Sequence, residues 1–289
     1  MNAPFPAGAP TQAAIDVVPF FLDTPGGRIF VLHHTLPAAR GHVLCVPSFN
    51  EEMNRCRSMV TLQAQAFAGL GFGTLVIDPF GTGDSDGDYG DARWESWLEN
   101  IGAAVDWLDE REGCAVLLGI RTGALLAAEW LHDKAPASRP ALIAWQPVTD
   151  GKQYFTQFLR MRIAANMDRS DLPKETTASM REQLAAGTPV EVGGYEIHPE
   201  LAKALDSRKL ADFPPPADTA TLWLEQIVPG GSVPSAAGER VLSTWQAAGV
   251  QTEVQGFDGQ AFWQLHERAL APEAIRLTTE WLRAKAGTT

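Results

Sequence analysis

Apolar runs of strand length alternate with segments of helical periodicity along most of the chain. Residues 42–47 (HVLCVP), 73–81 (GTLVIDPFG), 114–119 (CAVLLG) and 140–148 (PALIAWQPV) are nearly continuous apolar runs. Segments with helical spacing of apolar residues separate them, as at 94–111. Uninterrupted apolar strands between helices are typical of a parallel sheet that is covered on both faces. The pattern therefore predicts an α/β fold.

The alternation stops near residue 150 and resumes near residue 219. Residues 151–218 contain two helix-like stretches, a polar strand-like pair and the turn sequence DFPPPAD. We expect an α/β core made of residues 26–150 and 219–289, with 151–218 inserted as a lid or cap. Such an insertion is expected over the carboxyl ends of the strands, where α/β sheets bind ligands. Residues 1–25 begin with a segment rich in Pro, Ala and Gly and are expected to form a loose tail.

Composition narrows the possible partners and the location. The chain has 289 residues with 23 Lys and Arg against 35 Asp and Glu, a net charge of −12. Nucleic acids and anionic membrane surfaces need clustered positive charge, so neither is expected as a partner. No run of ~18 apolar residues predicts a membrane span. The N-terminus lacks the basic and apolar regions of a secretory signal, and we therefore expect a cytoplasmic protein.

The sequence gives no indication of a metal or cofactor. Cys45, Cys56 and Cys114 form no CxxC pair, and they are expected to be free thiols packed as small core residues. No His, Cys and Asp cluster has metal-ligand spacing, and no glycine-rich phosphate-binding motif is present. We expect no metal and no cofactor.

The most informative motif is the junction LLGIRTGALLAAEW. It has the form of a nucleophile elbow, in which a strand turns sharply into a helix through G-x-nucleophile-x-G. Gly119 and Gly123 occupy the glycine positions, but the central residue is Arg121. A literal G-x-S-x-G occurs at 83–87, yet no helix follows it directly. Ser85 is therefore expected to be a turn residue.

Four segments together resemble one family. They are PSFNEEMNRCR (47–57), DPFGTGDSDG (78–87), GIRTGALLA (119–127) and QFLRMRIAANM (157–167). They are similar to the exosortase A system-associated hydrolases, type 2, of the α/β-hydrolase superfamily, and the likeness extends over about 28–282.

The resemblance implies an α/β-hydrolase fold with a mostly parallel sheet of about eight strands and helices on both faces. It also implies that an arginine at the elbow is usual. It further implies a bacterial locus for extracellular polysaccharide production and sorting of PEP-CTERM proteins, and a protein partner from that system. The word hydrolase in the family name follows the fold and does not establish an activity.

The other positions of a catalytic triad are also altered. The superfamily acid should follow residues 221–228, where this chain has the sequence GGSVP and no carboxylate, so that Glu225 is the nearest substitute. The superfamily histidine should lie just after 252–257, and Trp263 falls at that position. His266 comes about one turn later and either reaches the site or lies at the surface. Arginine stays protonated and only donates hydrogen bonds, so Arg121 can be neither nucleophile nor base.

A cation at the start of a helix needs an anion nearby. Two sources are open for Arg121. One is a carboxylate of the chain, Glu51 or Glu52, in the loop where the superfamily builds its oxyanion hole. The other is the carboxylate or phosphate of a ligand. The candidate ligand-binding residues are Phe49, Asn50, Glu51, Glu52, Arg121, Thr122 and Trp263.

Three hypotheses for the function remain open. The first is a triad-lacking protein that binds a small anionic or acyl ligand, or a partner of the exosortase and polysaccharide system. The second is an active hydrolase or acyl transferase with an unusual site, for which Glu51, Glu52 and His266 are the first candidates. The third is a non-enzymatic interaction module that docks through the lid.

Overall fold

The computed structural model describes residues 15–134, 136, 138–167, 174–264 and 267–287. The strands of the main sheet are β1 (Asp16–Thr24), β2 (Gly27–Thr35), β3 (His42–Val46), β4 (Gly73–Ile77), β5 (Cys114–Ile120), β6 (Ala141–Trp145), β9 (Thr221–Gln226) and β10 (Thr252–Phe257), and a separate hairpin contains β7 (Val190–Val192) and β8 (Tyr195–Ile197). The helices are α1 (Glu51–Ala68), α2 (Trp94–Asp109), α3 (Thr122–Lys134), α4 (Gly151–Ala165), α5 (Thr177–Ala185), α6 (Pro199–Ser207), α7 (Ala236–Ala247) and α8 (Pro272–Ala286).

The main sheet has eight strands in the order β1-β2-β4-β3-β5-β6-β9-β10. The hairpin β1–β2 is antiparallel and β2 runs antiparallel to β4, whereas all further pairs are parallel. One buried apolar cluster packs α2 and α3 on one face of the sheet, and a second packs α1 and α8 on the other. This is the predicted α/β-hydrolase fold, with a mostly parallel sheet covered on both faces.

The first strand corrects the expected loose tail over residues 1–25. Asp16–Thr24 form β1, which pairs with β2 along its whole length. Phe20 anchors this edge strand, because its ring lies 4.9 Å from the ring of Trp107. The segment contains the apolar run VVPFFL, but Pro19 stands within it and most of its side chains are exposed, as is typical of an edge strand. Residues 1–14 lie outside the described part of the chain.

The segment 151–218 contributes α4, α5, the β7–β8 hairpin and α6. Helix α4 packs against the loop that follows β3, since the rings of Tyr154 and Phe158 lie 5.9 and 5.5 Å from the ring of Phe49. The segment therefore contacts the carboxyl end of β3, close to the elbow after β5.

The three cysteines are buried and free, as predicted. Within the described ranges, no helix has the length and apolarity needed to cross a membrane.

Candidate functional site

Arg121 occupies a sharp turn between β5, which ends at Ile120, and α3, which begins at Thr122. Its φ of 56° lies in the left-handed region, which is uncommon for a residue with a side chain. A Cβ on Gly119 would lie 2.4 Å from the Cα of Ala124, and one on Gly123 would lie 2.2 Å from a backbone oxygen. Both positions therefore require glycine, and the turn is the strand–helix elbow predicted from the sequence.

The guanidinium of Arg121 pairs with Glu52. Its Nε donates to Oε2 of Glu52 at 3.2 Å and its Nη2 to Oε1 at 3.4 Å. Its Nη1 donates to the backbone oxygen of Gln146 at 3.1 Å. The side chains of Arg121 and Glu52 are 13% and 16% exposed, so the pair is mostly buried. The other candidate, Glu51, instead accepts a hydrogen bond of 3.0 Å from the hydroxyl of Tyr195 in β8.

Two aromatic rings lie beside this ion pair. The centre of the Tyr154 ring, from α4, is 5.6 Å from Cζ of Arg121, and the centre of the Trp263 ring is 5.4 Å away. Both distances are within the range of cation–π attraction. Trp263 thus lies against the elbow residue, at the position where the sequence places the superfamily histidine.

Burial sets the protonation behaviour of the pair. Loss of solvent raises the pKa of Glu52, although Arg121 and a hydrogen bond with the Tyr154 hydroxyl oppose this shift. The pKa of Tyr154 is also raised, first by burial and then by the nearby Glu52 carboxylate. Glu52 therefore takes up a proton more readily than an exposed glutamate does.

The pair borders a cleft of about 330 Å³. Its walls are aromatic and aliphatic on the side of α4 and charged on the side of α1. The lining residues are Phe49, Asn50, Glu51, Glu52, Arg55, Arg121, Tyr154, Gln157, Phe158, Met161, Trp263 and Gln264.

The remaining triad candidates do not form a catalytic relay among the described residues. Glu225 is buried at the end of β9, where its carboxylate accepts from Nε1 of Trp223 at 2.9 Å and from the backbone N–H of Ser235 at 2.7 Å. This carboxylate therefore holds the start of α7, which Ser235 caps. The other candidate, His266, lies outside the described residues.

Ser85 is a turn residue, as its context predicts. Its hydroxyl donates to the backbone oxygen of Asp78 at 2.5 Å and accepts from the backbone N–H of Phe30 at 2.8 Å. The first bond closes the turn after β4, and the second joins this turn to β2. The hydroxyl is therefore committed to a structural role.

Sequence reasoning missed two contributors to the site. Tyr154 lies in α4, whose position beside the elbow is a tertiary property. Gln146 follows β6 with a φ of 42°, and this left-handed conformation turns its backbone oxygen toward Arg121. A non-glycine residue gives no sequence signal for such a conformation. In the ranges that the structure describes, no group of three His, Cys, Asp or Glu side chains could hold a metal ion.

Comparison with known proteins defines the class. Residues 37–205, more than half of the chain, match the family described as serine aminopeptidase, S33 (Hydrolase_4). The chain belongs to this family of α/β hydrolases. It departs from the serine enzyme of the family's description at the elbow, where it has Arg121.

Solved structures share the fold at low sequence identity. Est1E from Butyrivibrio proteoclasticus, determined with ferulic acid bound, has 15% identity and a TM-score of 0.62, covering 92% of this chain and 97% of its own. The α/β hydrolase GrgF from Penicillium sp. sh18 has 17% identity and a TM-score of 0.61, covering 94% and 98%. A putative hydrolase from Agrobacterium vitis S4 has 17% identity and a TM-score of 0.59, with the same coverage. No curated protein matches the sequence significantly.

Proposed function

We propose that this protein binds a small carboxylate-bearing ligand at Arg121 and does not act as a serine hydrolase. The observation that carries the proposal is the guanidinium at the elbow, which borders a cleft of about 330 Å³. A permanently protonated group cannot attack a carbonyl carbon or accept a proton. A guanidinium in a mostly buried site does, however, bind carboxylates strongly and with defined geometry.

Arg121 has donors left for a ligand. Its hydrogen bonds with Glu52 and Gln146 account for three of the five N–H groups of a guanidinium. Nε and Nη2, on one edge of the guanidinium, both donate to Glu52. In the described part of the chain, one N–H on each of Nη1 and Nη2 has no protein acceptor. These two groups are available to ligand oxygens.

Glu52 keeps the arginine neutralised while the cleft is empty. Its bonds of 3.2 and 3.4 Å are long for a charge-assisted pair, which is usually near 2.8 Å. Burial also favours its protonated form. An incoming anion can therefore weaken this pair, with Glu52 taking up a proton, and leave no charge stranded in the site.

The walls of the cleft indicate the rest of the ligand. Phe158, Met161 and Trp263 present apolar surface beside the charged pair. An acyl or aryl carboxylate satisfies both features, because its apolar part packs on these side chains while its anion contacts Arg121. Est1E was determined with ferulic acid bound, and ferulate is therefore a suitable first probe.

The wider setting is part of the same proposal. The segments 47–57, 78–87, 119–127 and 157–167 support an assignment to the exosortase A system-associated group, in a polysaccharide and PEP-CTERM sorting locus. In this proposal 151–218 acts as the lid over the cleft, the protein is cytoplasmic, and a protein of that system is its partner.

The two alternatives have less support. An active hydrolase needs a free base near a nucleophile, yet Glu51 and Glu52 are both engaged in the bonds given above. A docking module needs a large exposed apolar patch. Among the described residues of 151–218, the large apolar side chains that are strongly exposed are Met161 and Met167. Two side chains do not form such a patch.

Calorimetric titration tests the proposal. Ferulate and its uncharged methyl ester are titrated into the wild-type protein, into Arg121→Met and into Arg160→Met, a control that removes an exposed arginine of α4. We expect ferulate to bind at least about tenfold more tightly than the ester, since a charge-assisted bond contributes about 1.5–3 kcal/mol. Arg121→Met removes this preference and Arg160→Met keeps it. Equal binding of acid and ester, or a preference retained in Arg121→Met, contradicts the proposal.

A further inference from the structure

A second, smaller cavity adjoins the cleft at the elbow. Asn50 and Thr122 line it together with Ser48, Phe49 and Thr82, and Asn50 and Phe49 also line the larger cleft. The volume of this cavity is about 10 Å³. That is room for about one heavy atom with its hydrogen.

Three polar side-chain atoms of this cavity have no partner. Asn50 is 6% exposed and Thr122 is 1% exposed. Oδ1 and Nδ2 of Asn50 and Oγ1 of Thr122 make no hydrogen bond within the described ranges. A buried polar atom without a partner costs about 1–3 kcal/mol, so three of them beside one cavity favour a polar group bound there.

The backbone conformation of Asn50 also indicates a role beyond packing. Its φ of 56° and ψ of −138° lie in a region that is essentially restricted to glycine. Glycine at this position would remove both the strain and the unpartnered amide. The amide does not cap α1 either, although Asn50 precedes that helix. Among the described residues, the Asn50 amide therefore has no hydrogen-bonding partner.

We propose that this cavity receives a hydroxyl group of the ligand, so that the ligand is a hydroxycarboxylate. This inference rests on the proposed function, in which the carboxylate binds Arg121. Asn50 and Thr122 each offer a donor and an acceptor, and a hydroxyl group can use both. A carbonyl oxygen would leave the acceptors unpaired, and an ammonium group would be repelled by Arg121. The volume restricts the group to a single heavy atom.

The experiment compares three ligands on one carbon skeleton: 3-phenylpropionate, 3-phenyllactate and 3-hydroxy-3-phenylpropionate. The two hydroxy acids place the hydroxyl at adjacent carbons, and the aromatic ring suits the walls of the cleft. Affinities are measured by calorimetry for the wild type, Arg121→Met, Thr122→Val, Asn50→Gly and the control Thr244→Val, an exposed threonine of α7. Thr122→Val preserves side-chain shape, and Asn50→Gly suits the left-handed backbone, so both variants should melt no lower than the wild type.

We expect one hydroxy acid to bind the wild type about five- to tenfold more tightly than 3-phenylpropionate, as one net hydrogen bond provides. In Thr122→Val and Asn50→Gly the ratio of the two affinities falls toward one. Thr244→Val keeps the preference.

Three results would overturn the inference, and they are distinguishable. Equal binding of all three acids, lost in Arg121→Met, means that the cavity holds a structural water only, and the proposed function then stands. A hydroxyl preference that persists in both cavity variants places the hydroxyl elsewhere. Binding of none of the three acids overturns the proposed function together with the inference.

Discussion

Two arginine–glutamate pairs border helix α3, and they differ in what surrounds them. Arg121 precedes the helix and pairs with Glu52 at the edge of the cleft. Arg208 follows α6 and pairs with Glu129, which lies in α3. The arginine side chains are similarly buried, at 13% and 15% exposure. Their hydrogen bonds are nevertheless distributed differently.

The Arg208 guanidinium bonds to two carboxylates of the protein. Nε donates to Glu129 at 2.9 Å, Nη1 to the backbone oxygen of Ala204 at 3.0 Å and Nη2 to Glu95 at 3.2 Å. Its Cζ also lies 5.0 Å from the centre of the Trp94 ring. This pair therefore joins the end of α6 to helices α2 and α3.

The Arg121 pair lacks such a set of carboxylates and borders open space. Glu52 is its carboxylate partner, and a ligand can reach the two N–H groups that remain. The difference shows that burial of an ion pair does not by itself define its role. A guanidinium held between two carboxylates of the protein indicates a structural pair, whereas one with a single carboxylate partner at the edge of a cleft indicates binding.

The largest expected effect is the loss of stability when Arg208 is replaced. Arg208→Met strands the buried carboxylate of Glu129 and should lower the free energy of unfolding by about 3–5 kcal/mol. Chemical denaturation measures the loss. The double variant Arg208→Met with Glu129→Gln should recover part of it, because no charge is then left buried. A loss below about 1 kcal/mol would show that the Arg208–Glu129 pair does not stabilise the fold as a structural pair should.

Arg121→Met should cost less, about 1–3 kcal/mol, in the same denaturation experiment. Glu52 borders the cleft and takes up a proton readily, so its charge is not stranded as that of Glu129 is. Arg160→Met serves as the matched control and should change stability by less than about 0.5 kcal/mol. An Arg121→Met loss equal to that of Arg208→Met would mean that the two pairs are equivalent structural elements.

A change of pH should act on the cleft pair through Glu52. Because the pKa of Glu52 is raised, its protonation occurs above the usual range of glutamate, about 4.3. Protonation releases Arg121, so the affinity for a permanently ionised anion should rise as the pH falls through the pKa of Glu52. We expect a change of a few-fold for 3-phenylpropane-1-sulfonate between pH 8 and pH 5, measured by calorimetry.

The same shift has a consequence for stability. A carboxyl whose pKa is raised by folding contributes stability that is fully present below its unfolded pKa and is lost as the pH rises through its folded pKa. Glu52→Gln should remove both this contribution and the pH dependence of sulfonate binding. An affinity that stays constant with pH, or that falls as the pH falls, would contradict the role given to Glu52.

The smallest expected effect is on hydrolysis. Arg121→Ser should neither turn over p-nitrophenyl acetate nor react with a fluorophosphonate, because Trp263 stands where the sequence predicts the superfamily histidine and Glu225 is engaged by Trp223 and Ser235. The wild type should be equally unreactive, since the hydroxyl of Ser85 bonds to backbone groups. Stoichiometric labelling of Arg121→Ser would reveal a working base. Labelling of the wild type that Ser85→Ala abolishes would show that Ser85 is a nucleophile.

Much of the fold follows from local sequence. The buried parallel strands have continuous apolar runs, and the elbow is fixed by Gly119 and Gly123, where a side chain would collide with neighbouring backbone. Strand β1 escaped detection because its stability comes from pairing with β2 and from the contact of Phe20 with Trp107. Such long-range contacts leave little trace in the periodicity of a mostly exposed edge strand.

The central residue of the site could be predicted from the sequence, but the residues that contact it could not. Arg121 and the two candidate carboxylates follow from the motif and its loop. The choice between Glu51 and Glu52 depends on Tyr195, which lies in β8, far along the chain, and donates to Glu51. The unpartnered amide of Asn50 is likewise visible only when the packing around it is known.

A crystal structure of the complex with 3-phenyllactate tests the central claim most directly, because it locates the anion as well as detecting it. We predict carboxylate oxygens within about 2.7–2.9 Å of Nη1 or Nη2 of Arg121, with the phenyl ring against Phe158, Met161 or Trp263. A ligand found elsewhere, or a cleft that stays empty at saturating ligand with Glu52 still paired to Arg121, would contradict the claim.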